Sequence, residues 1–383
     1  MNYRLFIFCL FIFFPLKSFQ VRVLLQKNTC AEINGWQLHN KNGFKVAMLA
    51  DETCNEDCLS ETLVLEVRSN MLCINGRKVH ADALRISALD DAPIAYNGNS
   101  YSGFFIIIKK DGEVYFINSI DLEEYVCSVV RWESWPGWPL EVNKVFAIAC
   151  RSYVVAKIME AREKKRVFDI KCTNLHQTYK GVHNFDVLRQ AVDETCGIIM
   201  TYQKKPINAM YDCCCGGIIP SKVKGFDFKA EPYLARTYPC TYCKECKLYS
   251  WKVSYTVSDF EKLLEAHFQK KTRVKDIKVS QKDGAEIVQE VTVKTPRSWL
   301  KLTGRKIYSL CKNIKSFCFS IKKKENHIIF EGKGYGHHLG LCQWGAWRMV
   351  KNGWNCRRIL QFFYCDISFM QIEEYARTQK GEQ

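Results

Sequence analysis

Beyond its first eighteen residues the chain lacks any apolar run long enough to cross a bilayer as a helix. It has no internal repeat and no low-complexity tract, so neither a solenoid nor a biased-composition tail is expected. Acidic residues are in deficit, 40 Asp and Glu against 56 Lys and Arg, a formal net charge of +16. The glycine-rich stretch Gly332-Lys333-Gly334-Tyr335-Gly336-His337-His338-Leu339-Gly340 lacks both the Walker lysine–serine pair and the GxGxxG spacing at a first strand. That excludes a nucleotide cradle and leaves glycines that let the backbone turn or approach a ligand closely. One further absence is chemical. Among the tryptophans at 132–138 only Glu133 is acidic, so that segment offers no pair of carboxylates.

What is present suits a folded, exported protein. Its 383 residues allow two to three domains, and the 47 % hydrophobic and 25 % charged shares are ordinary for a globular chain. The basic balance favours anionic partners: nucleic acid, acidic lipid or an anionic cell-wall polymer. Solubility alone is the other reading. Residues 1–18 read as a secretory signal, with Arg4 ahead of an apolar segment, 5–15. Leu16-Lys17-Ser18 is not a small-x-small cleavage pattern, so an uncleaved N-terminal anchor stays open. Export argues against nucleic acid, which would otherwise show salt-sensitive duplex binding. Twenty cysteines in an exported chain point to an oxidising compartment and to disulfides.

The chain is organised around 121–165. Asp121 is an N-cap with Glu124 three residues on, and Leu122, Tyr125, Val126, Val129 and Val130 form one helical stripe. Glu133 is the i+11 position, which at about 100° per residue returns to within about 20° of Leu122. The glutamate thus continues an apolar face, where a carboxylate is either paired or poised at a pocket edge. Trp132, Trp135 and Trp138 surround it, and burial raises a carboxyl pKa toward the range of a general acid. Tryptophan faces also stack on sugar rings. A second helix follows over 140–165. On it Lys144 and Arg151 lie two turns apart, either a solvated basic face or a pair of cations beside Glu133.

Elsewhere, 20–118 reads as strands and turns, including strands at 21–25, 104–108 and 114–117 and turns at Asn34-Gly35, Asn42-Gly43 and Asn75-Gly76. Cys54 and Cys58 flank an acidic loop. Helices are expected at 185–195, 260–268 and 343–351, and strands at 197–202, 207–211, 277–279 and 287–293. Cys240, Cys243 and Cys246 supply three thiols with no fourth ligand at zinc-finger spacing, which favours disulfides or free thiols. Cys172 and His176 are the remaining weak candidates for zinc, so no metal or other cofactor is expected.

Several blocks resemble one family. Asp121-Leu122-Glu123-Glu124-Tyr125, then Trp132-Glu133-Ser134-Trp135-Pro136, then Trp138-Pro139, then the helix from Asn143 to Arg151-Ser152-Tyr153 look like the SpoIID/LytB family. This is the stage II sporulation protein D group of peptidoglycan enzymes and amidase enhancers. Asn97-Gly98 with Tyr101-Ser102-Gly103, Gln177 with Tyr179 and Gly181, the run from Gly334 to Ala346, and the Ile359-to-Tyr364 tail resemble its other blocks in order. Two departures stand out. Tyr211 is followed by Asp212 and three cysteines where the family has histidine and serine. Gln177 stands where a zinc-binding version of the family has a further cysteine.

The resemblance implies an α+β fold: a β-rich N-terminal part, a central helical catalytic segment and a mixed second lobe, in a crescent-like arrangement with a substrate groove. The boundaries expected are a signal at 1–18, the β-rich part at 19–118, a catalytic core at 119–234, an excursion at 235–325, the glycine-rich loop and C-terminal helix at 326–369, and a polar tail at 370–383. It implies a lytic transglycosylase of the periplasm or cell envelope. Such an enzyme cleaves between N-acetylmuramic acid and N-acetylglucosamine in peptide-free peptidoglycan strands and leaves 1,6-anhydro ends. Glu133 maps to the catalytic acid. Lys144, Arg151, Tyr179, Tyr211, His337 and Gln343 map to substrate contacts. The alternative is a non-catalytic peptidoglycan-binding activator of a cell-wall amidase.

Overall fold

The computed structural model describes residues 19–30, 33, 35–49, 51–173 and 176–380. The signal expected at 1–18 and Asn34 of the first expected turn lie outside them. The architecture is α+β, as expected, with several separate sheets and eight helices among the described residues.

The chain divides into two compact units that interleave in sequence. Of the described residues, the first comprises those within 19–129, 158–184 and 373–380. It holds a seven-stranded sheet in the order Ile170–Lys171, Gln20–Thr29, Glu113–Asp121, Phe104–Lys110, Ala83–Ala88, Phe44–Met48, Asp51–Cys58. A second sheet runs Asn99–Tyr101, Ile94–Tyr96, Trp36–His39, Thr62–Arg68, Met71–Ile74, Arg77–Val79. The expected hairpin at 104–117 forms, with Lys110 opposite Glu113 across a two-residue turn. Asp111 and Gly112 both take positive φ there, 53° and 75°, as such a turn requires. Phe105 and Phe116 stack at 4.9 Å inside this unit, and Trp36 lies 4.8 Å from Phe116. Asp169, buried, accepts from the Arg22 backbone N–H at 2.8 Å and from its guanidinium at 2.6 Å. This seats Ile170–Lys171 parallel to Gln20–Thr29.

The second unit comprises 130–157 and 185–372. Helices α1 (Leu122–Glu133) and α2 (Leu140–Glu163) each begin in one unit and end in the other. Then follow α3 (Asp186–Asp193), α4 (Val257–Phe268), α5 (Gly304–Leu310), α6 (Gln343–Lys351), α7 (Cys356–Phe363) and α8 (Ile372–Lys380). Within 250–333 two three-stranded sheets and α4 enclose a core of their own around Phe260, Ile277, Val291, Phe319 and Phe330. A short antiparallel sheet joins Ile198–Tyr202 to Ser368–Gln371, and a parallel pair joins Tyr211–Asp212 to Leu341–Cys342.

Local signals in the sequence place α1 well. Asp121 Oδ1 accepts from the N–H of Glu123 at 2.8 Å and of Glu124 at 3.4 Å, an N-cap. All five stripe residues of α1 are buried. Three expectations are corrected. Asp51–Cys58 is a strand paired with Phe44–Met48, not an exposed acidic loop. Residues 207–210 are not a strand: regular pairing stops at Pro206 and resumes at Tyr211. Of the polar tail, 372–380 is helix, because Ile372 and Tyr375 are buried.

Replacing Asp121 by alanine leaves two N–H groups at the start of α1 without their acceptor. Urea unfolding should show a loss of about 1 kcal/mol, largely recovered by Asp121→Asn.

Candidate active site

Glu133 is the last residue of α1 and is half-buried. The last carbonyls of a helix have no partner within it. That of Glu133 accepts a hydrogen bond from Gln343 Nε2 at 2.9 Å. Gln343 is the first residue of α6, 210 positions further along the chain. Two residues assigned to the site from separate motifs are thus joined directly. After Glu133 the backbone turns on local bonds. Ser134 Oγ donates to Asn143 Oδ1 at 2.5 Å, and Asn143 Nδ2 donates to the Trp138 carbonyl at 3.3 Å. Asn143 is fully buried near the start of α2. The Trp135–Pro139 segment is therefore pinned at both ends.

That segment builds one wall of an open cleft of about 440 Å³. Trp135, Gly137, Trp138 and Pro139 line one side, and Trp344, Trp347 and Lys351 of α6 line the other. Trp138 meets Trp344 edge-on at 5.9 Å, and Trp344 meets Trp347 at 5.6 Å. A Cβ on Gly137 would fall 2.9 Å from the Trp135 ring, so only glycine lets that indole fold back over its own loop. Trp135 remains 58 % exposed and Trp132 43 %. Large apolar faces held open to water on a well-supported loop suit a ligand with flat apolar faces. The Arg131 guanidinium sits 5.2 Å from the Trp132 ring and 4.6 Å from Phe185, which orients the outer indole.

The remaining site residues divide. Lys144 pairs with Glu194 and, at 3.5 Å, with Glu141. The hydrogen bond that Lys144 donates to Glu194 raises the pKa of its ammonium above the ordinary value, and the same contact lowers that of the Glu194 carboxyl. Arg151 is fully buried. Its guanidinium donates to the carbonyls of Ile198 at 3.2 Å and of Ala147 and Val192 at 3.4 Å. Those bonds join α2 to α3 and to the strand Ile198–Tyr202. Tyr179 belongs to the first unit and is buried there. Its hydroxyl donates to Asn118 Oδ1 at 2.5 Å and its ring stacks on Tyr125 at 5.3 Å, so it packs as a core residue of that unit.

Tyr211 and His337 are half-buried in the second unit. Asp212, beside Tyr211, is buried and grips the glycine-rich loop. Its carboxylate accepts from the backbone N–H of His337 at 2.8 Å and from that of His338, and lies 3.2 Å from His337 Nδ1. A Cβ at Gly336 would fall 2.1 Å from Asp212 Oδ1, and φ there is +132°. The motif's glycine is therefore required by this grip. His338 is buried, with Nδ1 3.1 Å from the Cys215 carbonyl, and burial holds its pKa below the usual value.

Among the metal candidates, Cys172 Sγ donates to the Leu25 carbonyl at 3.4 Å. Sequence spacing gave no fourth partner for Cys240 and Cys243. In space Cys215 and Cys342 stand beside them, and the four sulfurs lie within 4.8 Å of one another. Cysteines 25 and 99 residues from the Cys-x-x-Cys pair leave no local signature.

A helix, a tryptophan-bounded turn bearing one glutamate, and a second helix define a recognisable class. Residues 110–202 match the family model described as stage II sporulation protein, SpoIID, and residues 239–340 match a domain of unknown function, DUF8618. Over residues 110–202 the chain is thus similar to the SpoIID family, as its motifs led us to expect. It is 28 % identical over 323 residues to an uncharacterised protein of Brachyspira hyodysenteriae, covering 84 % of each chain. It is 27 % identical over 282 residues to stage II sporulation protein D of Bacillus amyloliquefaciens, covering 68 % of this chain and 77 % of that one. Similarity to the amidase enhancer of Bacillus subtilis is 23 % over 373 residues, which is 82 % of this chain and 50 % of that protein.

Gly336→Ala should destabilise the protein by about 2 kcal/mol, since it adds a clash with Asp212 to an unfavourable φ. Gly353, at φ +79° with nothing within 4 Å of its Cβ position, is the control. Gly353→Ala should cost about 1 kcal/mol, the conformational part alone. Paired denaturant titrations check the difference.

Proposed function

We propose that the protein is an exported, envelope-acting lytic transglycosylase that cleaves denuded peptidoglycan strands. The observation that carries this reading is the junction of Glu133 with Gln343 beside the tryptophan cleft. Glu133 is the one carboxylate of the segment that supplies Trp135 and Trp138 to the cleft, whose indole faces suit the apolar faces of sugar rings.

In this reading protonated Glu133 donates to the glycosidic oxygen between N-acetylmuramic acid and N-acetylglucosamine. The C1–O bond breaks with oxocarbenium character at C1. The Glu133 carboxylate then takes the proton of the muramoyl C6 hydroxyl, whose oxygen closes on C1 to give the 1,6-anhydro end. No water is consumed and Glu133 returns to its starting state, so a second carboxylate is not needed. The position of Asp212 supports this route, because its oxygens are engaged by the loop N–H groups. Tyr211 and His337 are the substrate contacts we retain. Lys144 reaches a substrate acetamido or lactyl group by exchanging a glutamate partner. Arg151 acts as a positioning residue, holding α2 against α3.

A second reading is a peptidoglycan-binding activator of a cell-wall amidase. The cleft favours it to the extent that stacking alone binds glycan, and one relative is named an amidase enhancer.

Purified protein incubated with denuded strands should release anhydro-muramoyl ends. Glu133→Gln should cut that release by at least about 100-fold while strand binding persists. Trp135→Ala should weaken binding, raising KM more than it lowers kcat. If the wild type binds strands, forms no anhydro ends and stimulates an amidase, the activator reading replaces the enzyme.

A further inference from the structure

We propose that Cys215, Cys240, Cys243 and Cys342 bind one structural zinc ion that locks the candidate active site together. The four side chains are buried, at 2 %, 1 %, 1 % and 0 % exposure. Cys215 Sγ lies 3.6 Å from Cys243 Sγ, and all four sulfurs fall within 4.8 Å of one another. A tetrahedron with Zn–S bonds of about 2.3 Å has edges of about 3.8 Å. A disulfide needs about 2.05 Å, and no disulfide joins any of the four in the structure. The spacing is therefore that of thiolates around a common centre. Four buried thiols packed as small apolar groups are the plain alternative, but two further features point to a ligand.

The first is the surround of the sulfurs. Cys342 Sγ accepts from the N–H of Cys215 and of Gly345, each at 3.3 Å. Backbone N–H groups converging on sulfur stabilise a metal thiolate and orient it. Cys342 is also the N-cap of α6, where the helix dipole favours negative charge. The second is the room left for Cys240. A Cβ on Gly345 would fall 2.9 Å from Cys240 Sγ, so the glycine in the first turn of α6 makes way for that sulfur.

The ligands come from three stretches of one compact unit. Cys215 follows Tyr211 and Asp212, Cys240 and Cys243 open the segment matched by the second domain model, and Cys342 precedes Gln343. A metal here fastens the parallel pair Tyr211–Asp212 and Leu341–Cys342 from one side. It thereby sets the start of α6, from which Gln343 reaches the Glu133 carbonyl. The site is closed by four protein ligands, so its role is structural, and it stands whether or not the protein cleaves glycan.

The test uses the full chain, purified under reducing conditions without chelator. Elemental analysis should find about one zinc per chain, released when a mercurial blocks the thiols and recovered when the thiols are regenerated. Cobalt in its place should show the intense visible bands of a tetrahedral tetrathiolate ion. Stripping the metal should lower the melting midpoint by at least about 10 °C, restored by added zinc. Cys243→Ser and Cys342→Ser should lose the cobalt signature, and the exposed Cys196→Ser should keep it. Wild-type protein without metal would overturn the proposal, as would iron in place of zinc or a peptide map showing disulfides among the four. These wild-type measurements decide the matter even if the ligand variants fail to fold.

Discussion

The backbone carbonyl of Glu133 sits where a helix ends, and a helix end must hand its last carbonyls to something. Here the recipient is the side chain of Gln343. An amide at the start of α6 therefore decides where the end of α1 rests, and with it the glutamate and the tryptophan turn that follows. A hydrogen bond of this kind adds only about 1 kcal/mol to stability. Its weight is positional, because it joins two motifs more than 200 residues apart into one site. Everything that fixes α6 then acts on Glu133: the Trp138–Trp344 contact, the bond from Gly345 to Cys342, and the parallel pair beside Asp212.

Asp212 is the counterpart on the loop side. The sequence departs there from the family it resembles, with an aspartate after Tyr211. The structure supplies the reason: the carboxylate collects consecutive N–H groups from His337 and His338. Two N–H groups aimed at one carboxylate bend the chain sharply, and the bend requires the open φ of Gly336. The aspartate and the glycine thus specify one turn together. His337 is held at its mouth, 37 % exposed, and His338 is sealed beneath. Of these two adjacent histidines only the outer one is open to solvent.

Much of this was legible in the residues. The stripe from Leu122 to Val130 and the aspartate cap are local patterns, and helices α1, α2 and α6 lie close to where they are expected. Hairpin turns at Asn75-Gly76 and Asp111-Gly112 were legible for the same reason, since positive φ favours those residues. What escaped depends on distance in sequence. The parallel pair is two residues long on each side and carries no periodic signal. Cys54 and Cys58 lie in a strand whose acidic composition argued for a loop, and ladder pairing with Phe44–Met48 overrode it. The four-cysteine cluster was hidden because only Cys240 and Cys243 are neighbours along the chain.

Arg151 shows how far a family position can be carried. A buried guanidinium is costly unless its donors are met, and here they face carbonyls, including that of Val192 near the end of α3. A helix C-terminus is where a cation gains most from the peptide dipoles. Planar and forked, arginine reaches three carbonyls on three elements at once, a geometry lysine does not reproduce. The position thus favours arginine for a reason independent of substrate. By holding α2 to α3, it also fixes the helix on which Lys144 meets Glu194 and Asn143 anchors the tryptophan turn.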